Sequence, residues 1–275
     1  MSQVKAMNSK LYTQTADPVK ALATHNPGVT KSSRVMLMFT VLLSLAMLAP
    51  FLWTLGLSFK SNQELMMGTE TVFRFPYTIQ NYLNILESSA VFGWLKNSLI
   101  VSGCMTLGVL VLSSLTGYAF ARLEFPCKKL LFVIVLMGLA VPEQAVIIAR
   151  HQMFSQFGLH NTYLGLILPG LSAPFGVFLM KQFSEGVPSE MLEAAQIDGA
   201  SEAKTFLQIV VPMIKPGIGA LAIFTFINSW NDYFMQLIML SSTSNLTISL
   251  GIAKLQAENA TDFGLIMAGA ALAGN

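Results

Sequence analysis

Pro188 to Gly217 reads PSEMLEAAQIDGASEAKTFLQIVVPMIKPG, a polar stretch set between long apolar segments. Pro188 and Ser189 can open a short helix, because proline fits a first turn and serine favours helix starts; Glu190 and Glu193 put negative charge near its positive dipole end. Asp198 and Gly199 then close it, glycine being the residue that most easily takes the left-handed conformation beyond a helix end. Ser201 and Glu202 restart the chain. Phe206, Ile209, Val210 and Met213 recur at helical spacing, so this second helix is predicted to pack one face on the protein while Lys204 and Gln208 point elsewhere. Pro212 and Pro216 end the unit. Two short helices on a membrane surface are the expectation.

The flanking segments supply the membrane. Of 275 residues, 53% are hydrophobic and only 11% charged, against about 25% charged in a soluble domain. Such a deficit of charge means a membrane protein, and a net charge of +2 offers no nucleic-acid surface. Residues 1–33 read as a polar, mobile tail without helical period. Residues 34–60 hold a first span, apolar from Val35 to about Phe59 and long enough to cross hydrocarbon. A signal peptide competes for this stretch, but its apolar region would be shorter and nearer the terminus, so an uncleaved span is preferred. Residues 61–91 form a polar loop, and residues 92–275 hold the remaining spans: Phe92 to Phe120, Leu130 to Ile148, Tyr163 to Phe183, Gly217 to Met239, and a sixth that begins near Phe263. Pro142 is expected to kink or end the third. The sixth, Gly264 to Ala273, is too short to cross.

Lysine and arginine set the sidedness. Lys5, Lys10, Lys20, Lys31, Arg34, Arg122, Lys128, Lys129, Lys181, Lys204 and Lys215 fall on one side if each segment crosses once; only Lys60, Arg74, Lys96, Arg150 and Lys254 fall on the other. The positive-inside bias therefore places the N-terminus and the Pro188 to Gly217 unit in the cytoplasm.

Catalytic signatures are missing from the sequence. There is no GxxxxGK[ST] phosphate loop, no HExxH and no GxSxG turn. His25, His151 and His160 read as scattered loop residues, and Cys104 and Cys127 as inert small residues without metal-ligand spacing. The polar set Asn228, Ser229, Trp230, Asn231, Asp232 and Tyr233 lies within the fifth apolar segment, where polar groups are costly and face a cavity or a partner. It suits a sugar, whose hydroxyls bond to amides and carboxylates while its ring packs on aromatics; it equally suits a helix–helix hydrogen-bond patch with an interfacial aromatic anchor. Glu143 and Gln144 carry the same two readings beside Pro142.

Glu193, Ala194, Ala195, then Gly199, Ile209 and Pro212 resemble the EAA signature of the membrane-spanning subunits of bacterial ABC importers, with Val211 where that family usually has leucine. Ile197, Asp198, Gly199 and Ala200 match its IDGA variant, and the segment around Trp230, Asn231 and Asp232 is similar to one in carbohydrate-uptake permeases of the maltose type. The resemblance implies an all-α, polytopic, six-span type I permease fold with a truncated sixth span, in a bacterial inner membrane. It further implies that Glu193, Ala194, Ala195, Ile197, Asp198 and Gly199 couple to a separate ATPase. Asn228, Trp230, Asn231, Asp232 and Tyr233 become the expected substrate pathway. The implied partners are a second permease subunit, two ATPase subunits that bind ATP and Mg, and an extracytoplasmic solute-binding protein; no cofactor belongs to this chain. A sugar is the expected substrate. Glycerol phosphate or a polyol is the alternative, although a phosphate would call for Arg or Lys in spans that lack them. An ion-driven secondary transporter is the rival class, and would more often show intramembrane acidic relays.

Overall fold

The computed structural model describes residues 31–88 and 90–274, so most of the expected tail, and His25, lie outside the described residues. The chain divides into two units, residues 1–53 and 54–275. Helix α1 (Lys31–Ser58) carries the first. Its stretch Val35–Ser58 has 24 residues at a mean hydropathy of 2.4, about 36 Å at 1.5 Å per residue, and its side chains from Val35 to Trp53 are all exposed. Leucine, methionine and phenylalanine on every face of an uncovered helix suit hydrocarbon and not water.

In the second unit the expected polar loop contains two helices, α2 (Asn62–Met67) and α3 (Gln80–Ser88). Ser61 caps α2 through a reciprocal capping box with Glu64. Lys60, counted in the sequence among the few cations on the side opposite the N-terminus, is fully buried. Its ammonium donates to the carbonyls of Arg74 and Pro76, lies 4.4 Å from the centre of the Tyr77 ring, and sits 3.6 Å from Glu64 Oε1. A buried charge is tolerated only with such a full set of partners.

Helix α4 (Val91–Arg122) is the axis of this unit. One end enters a core with Trp94, Val101, Met239, Ile248 and Leu265; the other enters a second core with Val109, Tyr118, Met180, Val210, Ile214 and Leu221. Moving apolar side chains from lipid to such cores gains little transfer energy, so close packing and hydrogen bonds must hold them. Gly117 shows how close the packing is: a Cβ there would meet the Lys181 backbone nitrogen at 2.7 Å.

The third span breaks at Pro142, as the sequence reading expected. Helix α5 (Lys128–Met137) continues as a 3-10 turn through Gly138–Ala140 and stops; Pro142 then precedes α6 (Glu143–Gln156), bent by 103° from its predecessor. Proline withholds an N–H and biases the residue before it to extended backbone, and Val141 is extended. Leu130 to Ile148 is therefore not one rod, and His151 lies in a helix and not in a loop, its ring 5.3 Å from that of His160. The fourth segment is α7 (Tyr163–Gly170) and α8 (Pro174–Glu185), bent by 47°. Helix α9 (Ser189–Ile197) leads to α10 (Glu202–Thr205), whose path continues helically through Met213; α11 (Lys215–Asn231) follows at 76°. Pro216 lies in the first turn of α11, so it opens that helix where the sequence reading had it end the preceding unit.

The fifth segment is also shorter than read. Helix α11 ends at Asn231, and α12 (Phe234–Met239), α13 (Ile248–Glu258) and α14 (Phe263–Ala273) complete the unit. With its 11 residues, α14 reaches about 16 Å. Among the described residues two helices can cross a bilayer alone, and the three bent pairs can do so as broken spans.

Candidate functional site

The Pro188 to Gly217 unit owes its shape to two local devices. Ser189 lies inside α9 and Pro188 takes the cap position without a side-chain bond, so serine does not cap this helix as the sequence suggested. At the other end the Ala200 N–H donates to the Ala195 carbonyl at 2.9 Å and the Gly199 N–H to the Gln196 carbonyl at 3.0 Å, with Gly199 at φ +74°. This is a Schellman closure, which requires a left-handed residue four positions beyond the residue whose carbonyl is capped. The spacing from Ala195 to Gly199 in the motif is that requirement. Ala195 is buried as it supplies the carbonyl, while Glu193, Ala194, Asp198 and Gly199 are exposed and Ile197 reaches 86% exposure at the tip.

Ser201 caps α10, its hydroxyl accepting from the Lys204 N–H. The helix then makes a π turn over Phe206–Val210, with the Val211 N–H reaching back to the Phe206 carbonyl. The cause stands one residue later: Pro212 has no N–H to give to Gln208, and its ring crowds that carbonyl. The wider turn inserts one residue into the register. Phe206, Val210 and Ile214 are consequently buried while Met213 is exposed, correcting the face inferred from Phe206, Ile209, Val210 and Met213. Lys204 and Gln208 are exposed as read.

Tyr118, and Arg122, which the sequence reading used only for sidedness, hold this unit from α4. The Tyr118 hydroxyl donates to Glu202 Oε2 at 2.8 Å, and its ring lies 5.1 Å from that of Phe206. Arg122 donates from Nε to the Ser184 carbonyl at 3.0 Å and from Nη2 to the carbonyls of Glu185, at 2.8 Å, and Val187. The last carbonyls of α8 have no partner within their own helix, and a cation there also meets the negative dipole end. Hydrogen bonds to a charged group are worth about 1.5 to 3 kcal/mol each. Between these contacts lies a groove of about 180 Å³ lined by Tyr118, Arg122, Gln196, Glu202 and the Glu193 carboxylate, which has no side-chain partner among the described residues.

A second site forms where α11 breaks. With the helix stopped at Asn231, the Ser229 and Trp230 carbonyls lose their helical partners; Gln236 Nε2 donates to the first at 3.3 Å and the Ser249 hydroxyl to the second at 2.6 Å. Asp232 Oδ1 accepts from the Met235 N–H at 3.1 Å and so starts α12. The polar set is thus at a helix end, not in mid-span. Asn228, Asn231, Asp232 and Tyr233 line a cavity of about 570 Å³ together with Glu143 and Arg150 of α6, Phe175 and Leu166. Trp230 does not line it: the indole donates to the Ala273 carbonyl at 3.1 Å and packs into the core.

The 103° turn at Pro142 brings Arg150 into this cavity, where no cation was expected. Its guanidinium is 3.1 Å from Glu143 Oε1, so two carboxylates, Glu143 and Asp232, stand against one guanidinium that is already paired. Amides, carboxylates and the rings of Tyr233 and Phe175 equip the wall to bond hydroxyls and pack a ring face.

Residues 27–274 match the family described as binding-protein-dependent transport system inner membrane component. The arabinooligosaccharides transport system permease protein AraQ of Halalkalibacterium halodurans is 32% identical over 226 residues, 81% of each chain. The sn-glycerol-3-phosphate transport system permease protein UgpE of Yersinia enterocolitica is 34% identical over 188 residues, 66% of this chain and 67% of that one. The fold also matches the crystal structure of a bacterial ABC transporter involved in the import of the acidic polysaccharide alginate, with a TM-score of 0.75 and 18% identity, over 90% of this chain and 94% of that chain.

Proposed function

Since this chain belongs to the binding-protein-dependent transport system inner membrane components, we propose that it forms one half of the translocation pathway of an ATP-driven importer for a neutral sugar or oligosaccharide. A second, different permease subunit supplies the other half. Two ATPase subunits, which bind ATP and Mg, dock on the Ser189–Ile197 helix and the Gly199 turn, and an extracytoplasmic binding protein delivers the solute. The N-terminus and the docking unit lie in the cytoplasm of a bacterial cell. The carrying observation is the exposed tip, with Ile197 bare and Glu193 without a side-chain partner among the described residues, held to helices that also line a polar cavity.

Transport follows alternating access. ATP binding favours one arrangement of the ATPase pair, the docked helices move with it, and the cavity changes the side to which it opens; ATP must bind one state better than the other for this to happen. Uptake of a glycerol phosphate is the second reading, favoured by the relationship to UgpE. The cavity argues against it: a phosphate dianion would meet two carboxylates and an arginine already committed to Glu143.

Purification of the tagged chain from its own host tests the assignment. It should carry along a different permease and an ATPase, and the complex should import a neutral oligosaccharide into proteoliposomes only with ATP and binding protein. Specific nucleotide binding by the isolated chain would oppose the reading.

A further inference from the structure

We infer that Tyr118 and Arg122 are a two-point clasp that transmits the movement of the Ser189–Met213 helices to the cavity wall, an assignment that rests on the transport reading above. They stand four residues apart on α4, one turn and therefore one face. Arg122 holds the chain where it enters the unit, through the carbonyls of Ser184, Glu185 and Val187; Tyr118 holds the start of the second helix through Glu202 and packs its ring at a tilt against Phe206. The first helix hangs between these two grips. Gly117, beside them, brings α4 against the backbone of Met180 and Lys181, so the joint has little slack. Met105 and Val109 of the same α4 line the large cavity, about 14 to 26 Å along the helix from the clasp. A continuous helix gripped at one end and forming the wall at the other carries a displacement as a rigid element.

The clasp positions; it does not bind solute. Tyr118→Phe removes only the hydroxyl and keeps the ring against Phe206. Glu202→Ala breaks the same bond from the exposed side, where folding is not at risk, and Glu202→Gln keeps an acceptor oxygen. Arg122→Lys keeps the charge but not the fork that reaches three carbonyls.

The test uses the assembled complex with Cys104 and Cys127 replaced and Thr225→Cys as a reporter in the cavity, probed by a methanethiosulfonate reagent without nucleotide and after trapping with ATP and vanadate. The unaltered clasp should show a several-fold change in labelling rate between the two states. With Tyr118→Phe, Glu202→Ala or Arg122→Lys that change should shrink at least twofold while ATP hydrolysis continues and the ATPase stays bound; Glu202→Gln should restore it. Clasp variants that respond as fully as the parent would overturn the inference and leave the transport reading standing. A parent that does not respond to ATP would overturn both.

Discussion

The Ala200 N–H and the Ala195 carbonyl meet at 2.9 Å across Gly199, whose φ is +74°. A Cβ on Gly199 would find no atom within 4 Å, so substitution there is penalised by backbone strain, about 1 to 2 kcal/mol, and not by a clash. Gly199→Val is expected to misaim the second helix and lower the amount of ATPase retained on purification, with Gly199→Asn much milder because asparagine tolerates the left-handed region. Membrane insertion should be unchanged in both, as read by the yield of full-length chain in the membrane fraction.

Glu193 lines the groove beside Arg122 and Glu202 and has no side-chain partner among the described residues. Glu193→Lys therefore breaks no described contact in this chain, and its stability should fall by no more than about 1 kcal/mol, from the reversed charge near the positive dipole end of its helix. Transport and binding-protein-stimulated ATP hydrolysis should fall together, several-fold or more, while the binding protein's affinity for its solute is unaltered. Equal transport by the variant would remove Glu193 from the docking surface.

Asp232 both starts α12 and faces the cavity, and two substitutions separate these roles. Asparagine can still accept the Met235 N–H, so Asp232→Asn should keep stability and change only the transport rate or its solute preference, whereas Asp232→Ala should also cost about 1 kcal/mol of stability for the lost cap. Trp230→Phe should lower the melting temperature through the missing bond to Ala273, and leave the apparent solute affinity of transport unchanged. Fluorescence-detected thermal unfolding and proteoliposome uptake measure the two effects.

Sidedness is checked by single cysteines after removal of Cys104 and Cys127, both exposed. Ser201→Cys should react with an impermeant reagent only in opened cells, and Ala260→Cys in intact cells. Labelling of Ser201→Cys from outside would invert the orientation.

Much of the first site was legible because its rules are local. The positive φ at Gly199, the Ser201 cap and the exposure of Lys204 and Gln208 depend on residues within one or two turns. The π turn had a signal too, Pro212, but the sequence reading used it only as a stop and so misplaced Met213 by one step of register. Tyr118 and Arg122 were not legible: their partners lie 84 and 62 residues away, and nothing in a span's hydropathy says which tyrosine or arginine on it will meet a remote carboxylate or carbonyl. The same holds for Arg150. A proline at 142 announces a break, but the 103° that carries Arg150 to the cavity is decided by packing. Trp230 and Asn231 are neighbours in a motif, yet the former serves the core and the latter the cavity, a division set by the end of α11.

On the reading proposed above, an ATPase pushes on this chain at the tip of the Ser189–Ile197 helix. A photo-crosslinking residue at position 197, the most exposed apolar site on the tip, measures it most directly when introduced into the native membrane and irradiated with and without ATP. A crosslink to the ATPase is expected, with a yield that changes when ATP is trapped. Crosslinks to lipid alone, in membranes where ATP still drives transport through this subunit, would contradict it.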